Sequence, residues 1–344
     1  MTETDLAAAV KAAVDQWTQA TPAADRHAAL SNPAALSAAL GLTVEMLLVG
    51  QGHPSGAGRA YALGAPCCHL KGVFDAALLV DTPVVFFPVP DTDGTMAGQA
   101  AALALHGLLQ LETVSYGSEN EGNLFVNLVA MPGTGAFAEK SKRSMRGHTD
   151  AVSFPIRGDD DPEDRRIAPS PDFVTLVGLR NRKGVPTTLM QLEDVLPLLS
   201  PDDIEELKKP QYAIRAQRTF RQGTRQILGA EHLVVDASVL KDTGAGIVVR
   251  YSHSNVTPLT EGGAAERASN HLEAACNRAA RPVVVLPGDI LLVNNRLALH
   301  GRGEVGGDVG GQSRWLLRTY GLDTSGLMPH KRHLGVRPPH VLFP

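Results

Sequence analysis

The chain has 344 residues, of which 43% are hydrophobic, and its formal net charge is -4. This size and apolar fraction allow one large domain with an extensive core, and the charge balance excludes the basic face typical of nucleic-acid-binding domains. No apolar run approaches the roughly 20 residues that span a bilayer, and the N-terminus lacks the pattern of a signal peptide. Three cysteines do not make a disulfide framework. We therefore predict a soluble cytoplasmic protein with neither a nucleic-acid nor a membrane partner.

The N-terminal residues 1–90 are predicted to form a helical support. Apolar side chains at helical spacing predict a helix over residues 3–20. A proline that follows an asparagine cap predicts a second helix over 33–40. The Gly- and Pro-rich stretch 50–72 is predicted as loop, and the apolar run 83–87 as a strand.

After an Ala- and Leu-rich helix predicted over 94–111, the pattern changes to short strands. These are predicted over 113–116, 123–129, 173–179, 187–191, 232–236, 246–251, 283–286, 290–294 and 314–321. Helical insertions are predicted at about 192–217 and over 261–279, and the highly charged stretch 158–166 as a mobile loop. We find no linker or internal repeat. The pattern predicts one domain over 1–344, mainly β with peripheral α-helices, with a β-barrel-like or jelly-roll core over 110–322.

Two histidines and one carboxylate could form a metal site. Residues two apart in an extended segment share a face, so His148 and Asp150 can both point into the core. His300 ends a strand–turn–strand passage and could supply a third ligand. This is the ligand set of non-haem iron enzymes with a facial triad. A chance His-x-Asp pair remains the alternative in a chain with 12 histidines.

Two arginines follow on the strand after His300. Strand alternation places Arg314 and Arg318 on one face and Trp315 on the other. If the tryptophan face packs against helices, both guanidinium groups point into the core, where buried arginines need anions. One carboxylate of a co-substrate and one of a substrate would satisfy them. The alternative is that the arginine face is solvated.

These segments together resemble the clavaminate synthase-like branch of the Fe(II)/2-oxoglutarate dioxygenases, within the taurine dioxygenase superfamily and close to its amino-acid hydroxylases. The resemblance covers roughly 110–322. The matching pieces, in chain order, are residues 148–150, 171–176 running to 187–189, 287–289, 294–302 and 314–316. It implies a distorted double-stranded β-helix core, with Fe(II), 2-oxoglutarate and O2 as cofactor and co-substrates. It also implies that His148, Asp150 and His300 are the iron ligands.

The resemblance assigns four further residues. Arg314 matches the arginine that holds the distal carboxylate of 2-oxoglutarate, and Thr188 matches a threonine that assists it. Arg318 matches the arginine that meets the substrate α-carboxylate, and Asn127 lies where the family places substrate contacts on an early strand. One departure concerns substrate: the region 250–255 has no acid where the arginine hydroxylases grip a guanidinium, which argues against arginine.

The implied activity is hydroxylation of an unactivated C–H bond in an amino acid or amino-acid-derived substrate, with release of succinate and carbon dioxide. An alternative keeps the iron site but performs desaturation or oxidative cyclisation in natural-product biosynthesis. A third reading, from another class, is a non-catalytic small-molecule binding protein. The substrate could be free or tethered to a carrier protein, and the sequence does not decide between these.

Overall fold

The computed structural model describes residues 1–333 and 337–344 and begins with a group of helices. These are α1 (Glu3–Ala20), α2 (Ala23–Leu30), α3 (Pro33–Gly50) and α4 (Ala57–Gly64). The predicted first helix is confirmed, and the Thr2 side chain caps it by accepting a hydrogen bond from the backbone N–H of Asp5. The prediction of loop over 50–72 was wrong, because this stretch contains α4 and the first strand.

The remaining elements alternate short strands with helices. The strands are β1 (Cys67–Leu70), β2 (Glu112–Tyr116), β3 (Val126–Val129), β4 (Met145–His148), β5 (Phe173–Arg180), β6 (Thr187–Gln191), β7 (Tyr212–Arg215), β8 (Leu233–Ala237), β9 (Leu240–Thr243), β10 (Gly246–Val249), β11 (Val256–Pro258), β12 (Arg281–Val283), β13 (Ile290–Asn294), β14 (Ala298–Arg302), β15 (Trp315–Leu322) and β16 (Val341–Leu342). The helices are α5 (Asp93–Leu109), α6 (Ala136–Lys142), α7 (Leu192–Val195), α8 (Pro201–Lys208), α9 (Arg218–Leu228) and α10 (Ala264–Ala279).

Helix α3 crosses α5 so closely that their backbones touch. A Cβ atom on Gly41 would lie 2.3 Å from the carbonyl carbon of Gly107. The helix predicted over 33–40 is longer than expected, since it continues through this glycine, which serves packing, to Gly50. By length and composition alone α3 could cross a membrane, contrary to the sequence-based expectation, although core helices of soluble proteins pass the same test.

Two sheets position the candidate site. The larger has the strand order β1-β13-β5-β15-β2-β16, with β3 also paired to β15, and the second has the order β12-β6-β14-β4. One buried cluster draws apolar side chains from both sheets, including Leu176 of β5 and Leu189 of β6, so the sheets face each other across it. Smaller sheets, β11-β7-β8 and β10-β9, are added outside these two.

Strand β15 has the predicted alternation. Trp315 and Leu317 pack into the cluster formed with α1, α3 and α5. Leu316 and Tyr320 belong to the cluster between the two sheets. The same face of the chain therefore turns Arg314 and Arg318 inward, as expected for the alternative in which the tryptophan face packs against helices, and both line one cavity.

Four predicted segments differ in detail. Residues 83–87 do not form a strand; prolines at both ends of the run remove backbone donors that a ladder needs. The insertion 192–217 contains α7 and α8 but also β7, and the strand predicted over 283–286 lies instead at Arg281–Val283. The charged stretch 158–166 is loop, yet Asp161 within it is buried and lies 3.0 Å from Nε2 of His232.

Candidate active site

The three predicted metal ligands converge at one end of the second sheet. Strand β4 pairs with β14 so that His148 lies directly opposite His300, and their ring centroids are 4.4 Å apart. Asp150 follows two residues later, with its carboxylate oxygens 3.5 Å from Nε2 of His148 and 3.7 Å from Nε2 of His300. Within the described residues, one ligand atom from each lies within 4.8 Å of the others, an arrangement that can hold a metal ion.

The protonation states of these groups suit a divalent cation. Burial lowers the pKa of His300 to about 4, so its imidazole is neutral at physiological pH. Burial by itself would raise the pKa of Asp150, but its neighbours His148, His300 and Arg318 hold it well below its usual range. Nδ1 of His148 lies 3.0 Å from the Arg146 carbonyl oxygen, which leaves Nε2 as the free lone pair. Imidazole nitrogens with a carboxylate oxygen fit Fe(II).

The loop that carries Asp150 is held from two sides. The side chain of Asn295 accepts a hydrogen bond from the backbone N–H of Asp150 and donates to its carbonyl oxygen. The backbone N–H of Thr149 donates to the carbonyl of Tyr251, and Gln217 donates to the carbonyl of Thr149. Sequence reasoning assigned Asn295 no role, although an amide pair after a strand is a signal for a side chain that organises a turn.

A strongly basic region lies beside the metal ligands. Arg314 is buried, lines the cavity, and has no ion-pair partner within residues 1–333 and 337–344. Its Nε is buried without an acceptor. Burial, and then the nearby charge of Arg302, lower the pKa of Arg314 to about 9. A buried guanidinium in this state is stabilised by an anionic ligand, and the distal carboxylate of 2-oxoglutarate fits it.

Thr188, the threonine predicted to assist Arg314, does not face the cavity. On β6, Thr187 is paired with Arg302 and Leu189 with His300, so these side chains share the inner face. Thr188 lies on the other face, with Met190, which packs into the outer cluster. Thr187 lines the cavity, and Thr188 is not among its lining residues. We therefore correct the assignment from Thr188 to Thr187, because adjacent residues of a strand face opposite sides.

Arg318 is paired with an acid that sequence reasoning missed. Its Nη2 lies 2.6 Å from Oε2 of Glu119, and its Nη1 lies 4.0 Å from Asp150. The hydroxyl of Tyr320 donates to the same Oε2 atom, whereas Oε1 of Glu119 is buried with no donor. Glu119 stands in a polar run that resembles an exposed turn, so the sequence gives no signal for its burial.

Asn127 has a different role from the predicted one. It is fully buried, and its Oδ1 accepts a hydrogen bond from Nε1 of Trp315 at 2.9 Å. Its Nδ2 donates to the carbonyls of Val85 and Pro88. Both amide atoms of Asn127 are thus hydrogen-bonded within the protein, on the Trp315 face of the strand. Its position does not fit a substrate contact, and we remove Asn127 from the predicted substrate-binding residues.

The cavity that contains these groups is bounded by polar and apolar residues. Its lining comprises Phe86, Leu128, Val129, Lys140, Ser141, Met145, His148, Asp150, Leu176, Thr187, Gln217, Thr219, His300, Gly301, Arg302, Arg314 and Arg318. Oε1 of Gln217 is buried without a donor. The cavity thus combines a candidate metal centre with several cations and free acceptors.

Two curated relatives are similar to this chain. An L-asparagine oxygenase from Streptomyces coelicolor is 28% identical over 241 residues, which cover 68% of this chain and 66% of the relative. An L-lysine 3-hydroxylase from Catenulispora acidiphila is 26% identical over 214 residues, which cover 60% of this chain and 54% of the relative. The matches therefore span slightly less than two thirds and about half of these relatives.

Solved structures share the fold. The non-heme iron oxygenase OrfP, in complex with Fe, succinate and (3R,4R)-dihydroxy-L-Arg, matches with a TM-score of 0.71 at 20% identity, covering 98% of this chain and 97% of that one. Asparagine oxygenase with Fe(II), (2S,3S)-3-hydroxyasparagine and succinate matches with a TM-score of 0.65 at 22% identity, covering 97% and 89%. Residues 73–320, which include all three candidate ligands, match the family described as taurine catabolism dioxygenase TauD, TfdA family. The chain belongs to this TauD/TfdA dioxygenase family.

Proposed function

We propose that this protein is an Fe(II)- and 2-oxoglutarate-dependent hydroxylase of a free α-amino acid. The observation that carries the proposal is the composition of one cavity. It joins a His–Asp–His ligand set, a buried arginine for which the described residues supply no anion, and Arg318, whose ion-pair partner is Glu119. Each part matches one reactant: the metal, 2-oxoglutarate and the amino acid.

The reaction balances in one turnover. Bound together, Fe(II) and 2-oxoglutarate supply the oxidising chemistry, which the protein fold alone does not. One atom of O2 enters a C–H bond of the substrate to give an alcohol, and the other enters 2-oxoglutarate, which leaves as succinate and carbon dioxide. The residues of the chain would bind and orient the reactants and exclude water from them.

The proposed roles follow from the contacts. His148, Asp150 and His300 would hold the iron, with the carboxylate oriented by its loop. Arg314 would hold the distal carboxylate of 2-oxoglutarate, since a planar guanidinium can donate two parallel hydrogen bonds to one carboxylate. Thr187, which lines the same cavity, would add a hydroxyl donor.

The substrate backbone would meet a matched pair of charges. Arg318 offers a guanidinium for an α-carboxylate. Glu119 offers a buried oxygen with no donor for an α-ammonium group, and Gln217 offers a second free acceptor. A zwitterion satisfies the buried polar groups at both positions. The names of the two curated relatives, an asparagine oxygenase and a lysine hydroxylase, support free amino acids as the substrate class.

We further propose that residues 1–344 form one catalytic domain, in which the two facing sheets make a distorted double-stranded β-helix over 110–322 with 1–90 as support. Side chains of α1, α3 and α5 pack in one cluster with those of β5, β13 and β15, which supports a single body. A cytoplasmic location is proposed in keeping with the free thiols of Cys67, Cys68 and Cys276.

The test is turnover of the standard amino acids with Fe(II), 2-oxoglutarate and O2, read as succinate release and product mass. We expect one amino acid or a narrow group to gain one oxygen atom in step with succinate. His148→Ala is the control and should release none. A product that has lost two hydrogen atoms would identify desaturation or cyclisation instead. No turnover of any amino acid would contradict the proposal.

A further inference from the structure

Besides Arg314, a second cation of the cavity wall has no ion-pair partner among the described residues. Lys140 on α6 lines the same cavity as the metal ligands. Within the described parts of the chain, no carboxylate or carbonyl oxygen is hydrogen-bonded to its ammonium group. Lys142, two residues later on the same helix, differs because its Nζ donates to the carbonyl of Gly133. Lys140 is therefore a charge that faces the space a ligand would fill.

The setting of Lys140 is electrostatically unusual. Burial lowers the pKa of Lys140, and the charges of Asp150 and Glu119 partly oppose this effect. Both acids already serve other groups: Asp150 lies among the metal ligands, and Glu119 is paired with Arg318. A partly buried lysine that lacks its own counter-ion is stabilised by an anion that arrives with a ligand.

The charges of the proposed reactants leave Lys140 uncompensated. Asp150 and the near carboxylate of 2-oxoglutarate would offset the divalent iron, and the distal carboxylate would offset Arg314. Arg318 and Glu119 balance the two ends of a zwitterion. Lys140 and Arg302 remain, and two Nη2 hydrogen bonds tie Arg302 to the carbonyls of Lys140 and Arg143. With a substrate whose side chain is neutral, the net charge of the occupied cavity stays positive. A substrate with a basic side chain would make this net charge still more positive.

Several other residues that line this cavity offer no anchor for a charged side chain. Phe86, Leu128 and Met145 are apolar. The hydroxyl of Ser141 already donates to the carbonyl of Ala138. Among the residues that line this cavity Asp150 is the one acid, so no carboxylate is available for a cationic side chain.

Resting on the proposed function, we infer that the substrate is an amino acid whose side chain ends in a carboxylate, and that Lys140 binds this carboxylate. Lys140 is thus a specificity-determining residue. The substrate class differs from the amides and cations in the names of the similar proteins, since asparagine, lysine and arginine carry no side-chain anion. Aspartate and glutamate are the two simplest candidates, and they differ only in the length of the side chain that carries the carboxylate.

The experiment measures kcat/KM for aspartate and glutamate against their isosteric amides, asparagine and glutamine, and against lysine. Three proteins are compared: wild type, Lys140→Met, which keeps the aliphatic stem but removes the charge, and Lys142→Met as the matched control. We expect wild type to prefer one acid over its amide at least about 10-fold. Lys140→Met should lower kcat/KM for the acid about 30-fold or more, as expected for a buried charge pair. Its KM for 2-oxoglutarate should stay within about 2-fold, and Lys142→Met should behave as wild type.

Four results separate the possibilities. A wild type that prefers a neutral or basic amino acid would overturn the inference while the proposed function stands. A higher KM for 2-oxoglutarate in Lys140→Met, with the acid-to-amide ratio unchanged, would assign Lys140 to the co-substrate and also overturn it. Absence of turnover with every amino acid would refute both proposals. Anaerobic formation of the visible Fe(II)–2-oxoglutarate band by Lys140→Met, with the acid preference lost, would support the inference and show that the variant is folded.

Discussion

Replacing Arg314 with methionine should change stability and ligand binding in opposite directions. Methionine has a similar length and no charge. In the ligand-free protein Arg314 is buried, and the part of the chain that the structure describes gives it no counter-ion, so its removal relieves a cost. With 2-oxoglutarate bound, the same residue has its partner, so its removal is a loss. We therefore expect Arg314→Met to stabilise the ligand-free protein and to weaken 2-oxoglutarate binding.

The structure sets the size of both effects. Burial and the charge of Arg302 lower the pKa of Arg314 well below its usual range, to about 9. At about 1.4 kcal/mol per pH unit, the charged state costs roughly 5 kcal/mol as an upper bound. Replacement of buried ionic groups by apolar ones stabilises by about 1–4 kcal/mol. For a chain of 344 residues, each kcal/mol raises Tm by about 1.4 °C. Loss of a buried charge partner costs about 2–5 kcal/mol, or about 30-fold to several thousand-fold in Kd.

The assay is thermal unfolding with and without 2-oxoglutarate, in the presence of Mn(II) as a metal that does not turn over. Wild type should gain stability when 2-oxoglutarate is added, because ligand binding favours the folded state. Arg314→Met should start about 1–6 °C higher without ligand and gain little when ligand is added. A variant whose ligand-free Tm falls, or whose 2-oxoglutarate affinity stays within about 2-fold of wild type, would refute this reasoning.

Three further predictions concern other parts of the molecule. Thr187→Val should weaken 2-oxoglutarate binding several-fold and Thr188→Val should not, as measured by titration of the Fe(II)–2-oxoglutarate band. If Thr188→Val weakened binding and Thr187→Val did not, the inward orientation of Thr187 on β6 would be contradicted. Asn127→Ala should destabilise the protein by about 1–3 kcal/mol, because it leaves the buried indole N–H of Trp315 without an acceptor. The KM values should stay unchanged. A raised substrate KM at normal stability would show that Asn127 contacts substrate after all. Burial lowers the pKa of His106 to about 4. Below about pH 6.5 the unfolded chain therefore binds a proton that the folded chain does not. As the pH drops from about 6.5 toward 4, the free energy of unfolding should fall by up to about 3 kcal/mol. In urea unfolding across this pH range, the free energy of unfolding should fall less steeply with pH in His106→Gln than in wild type. An equally steep fall would contradict the role given to His106.

Local patterns predicted the centre of the site because they correspond to local geometry. His148 and Asp150 share a face through the two-residue period of extended chain, and the alternation along β15 turned Arg314 and Arg318 inward. These inferences require only that each segment be extended. Convergence with His300 followed from the resemblance to the family, and the strand pairing of β4 with β14 is the physical cause.

Features that depend on distant partners could not be predicted. Asn127 acts on Trp315, 188 residues away, and the identity of that partner is set by strand pairing. The close approach of Gly41 to Gly107, by which α3 packs against α5, is likewise invisible in sequence. The burial of Glu119 likewise depends on Arg318 across the fold.

Register was the other limit. A shift of one residue on β6 exchanges the inward-facing threonine for its neighbour, and the motif alone did not fix which of the two lies inside. Lys140 shows the same difficulty on a helix, since a run of charged residues on a short helix is typical of a solvated face. Its place in the cavity wall emerges only when α6 is packed beside β14.

The central claim is that His148, Asp150 and His300 hold one Fe(II) to which 2-oxoglutarate binds beside Arg314. Anaerobic titration of Fe(II) into the protein with 2-oxoglutarate measures this directly through the weak visible charge-transfer band of the chelate. We predict a band that saturates at one iron per chain, disappears in His300→Ala, and requires a much higher 2-oxoglutarate concentration in Arg314→Met. A wild-type protein that shows no band, or a His300→Ala variant that keeps it, would contradict the account.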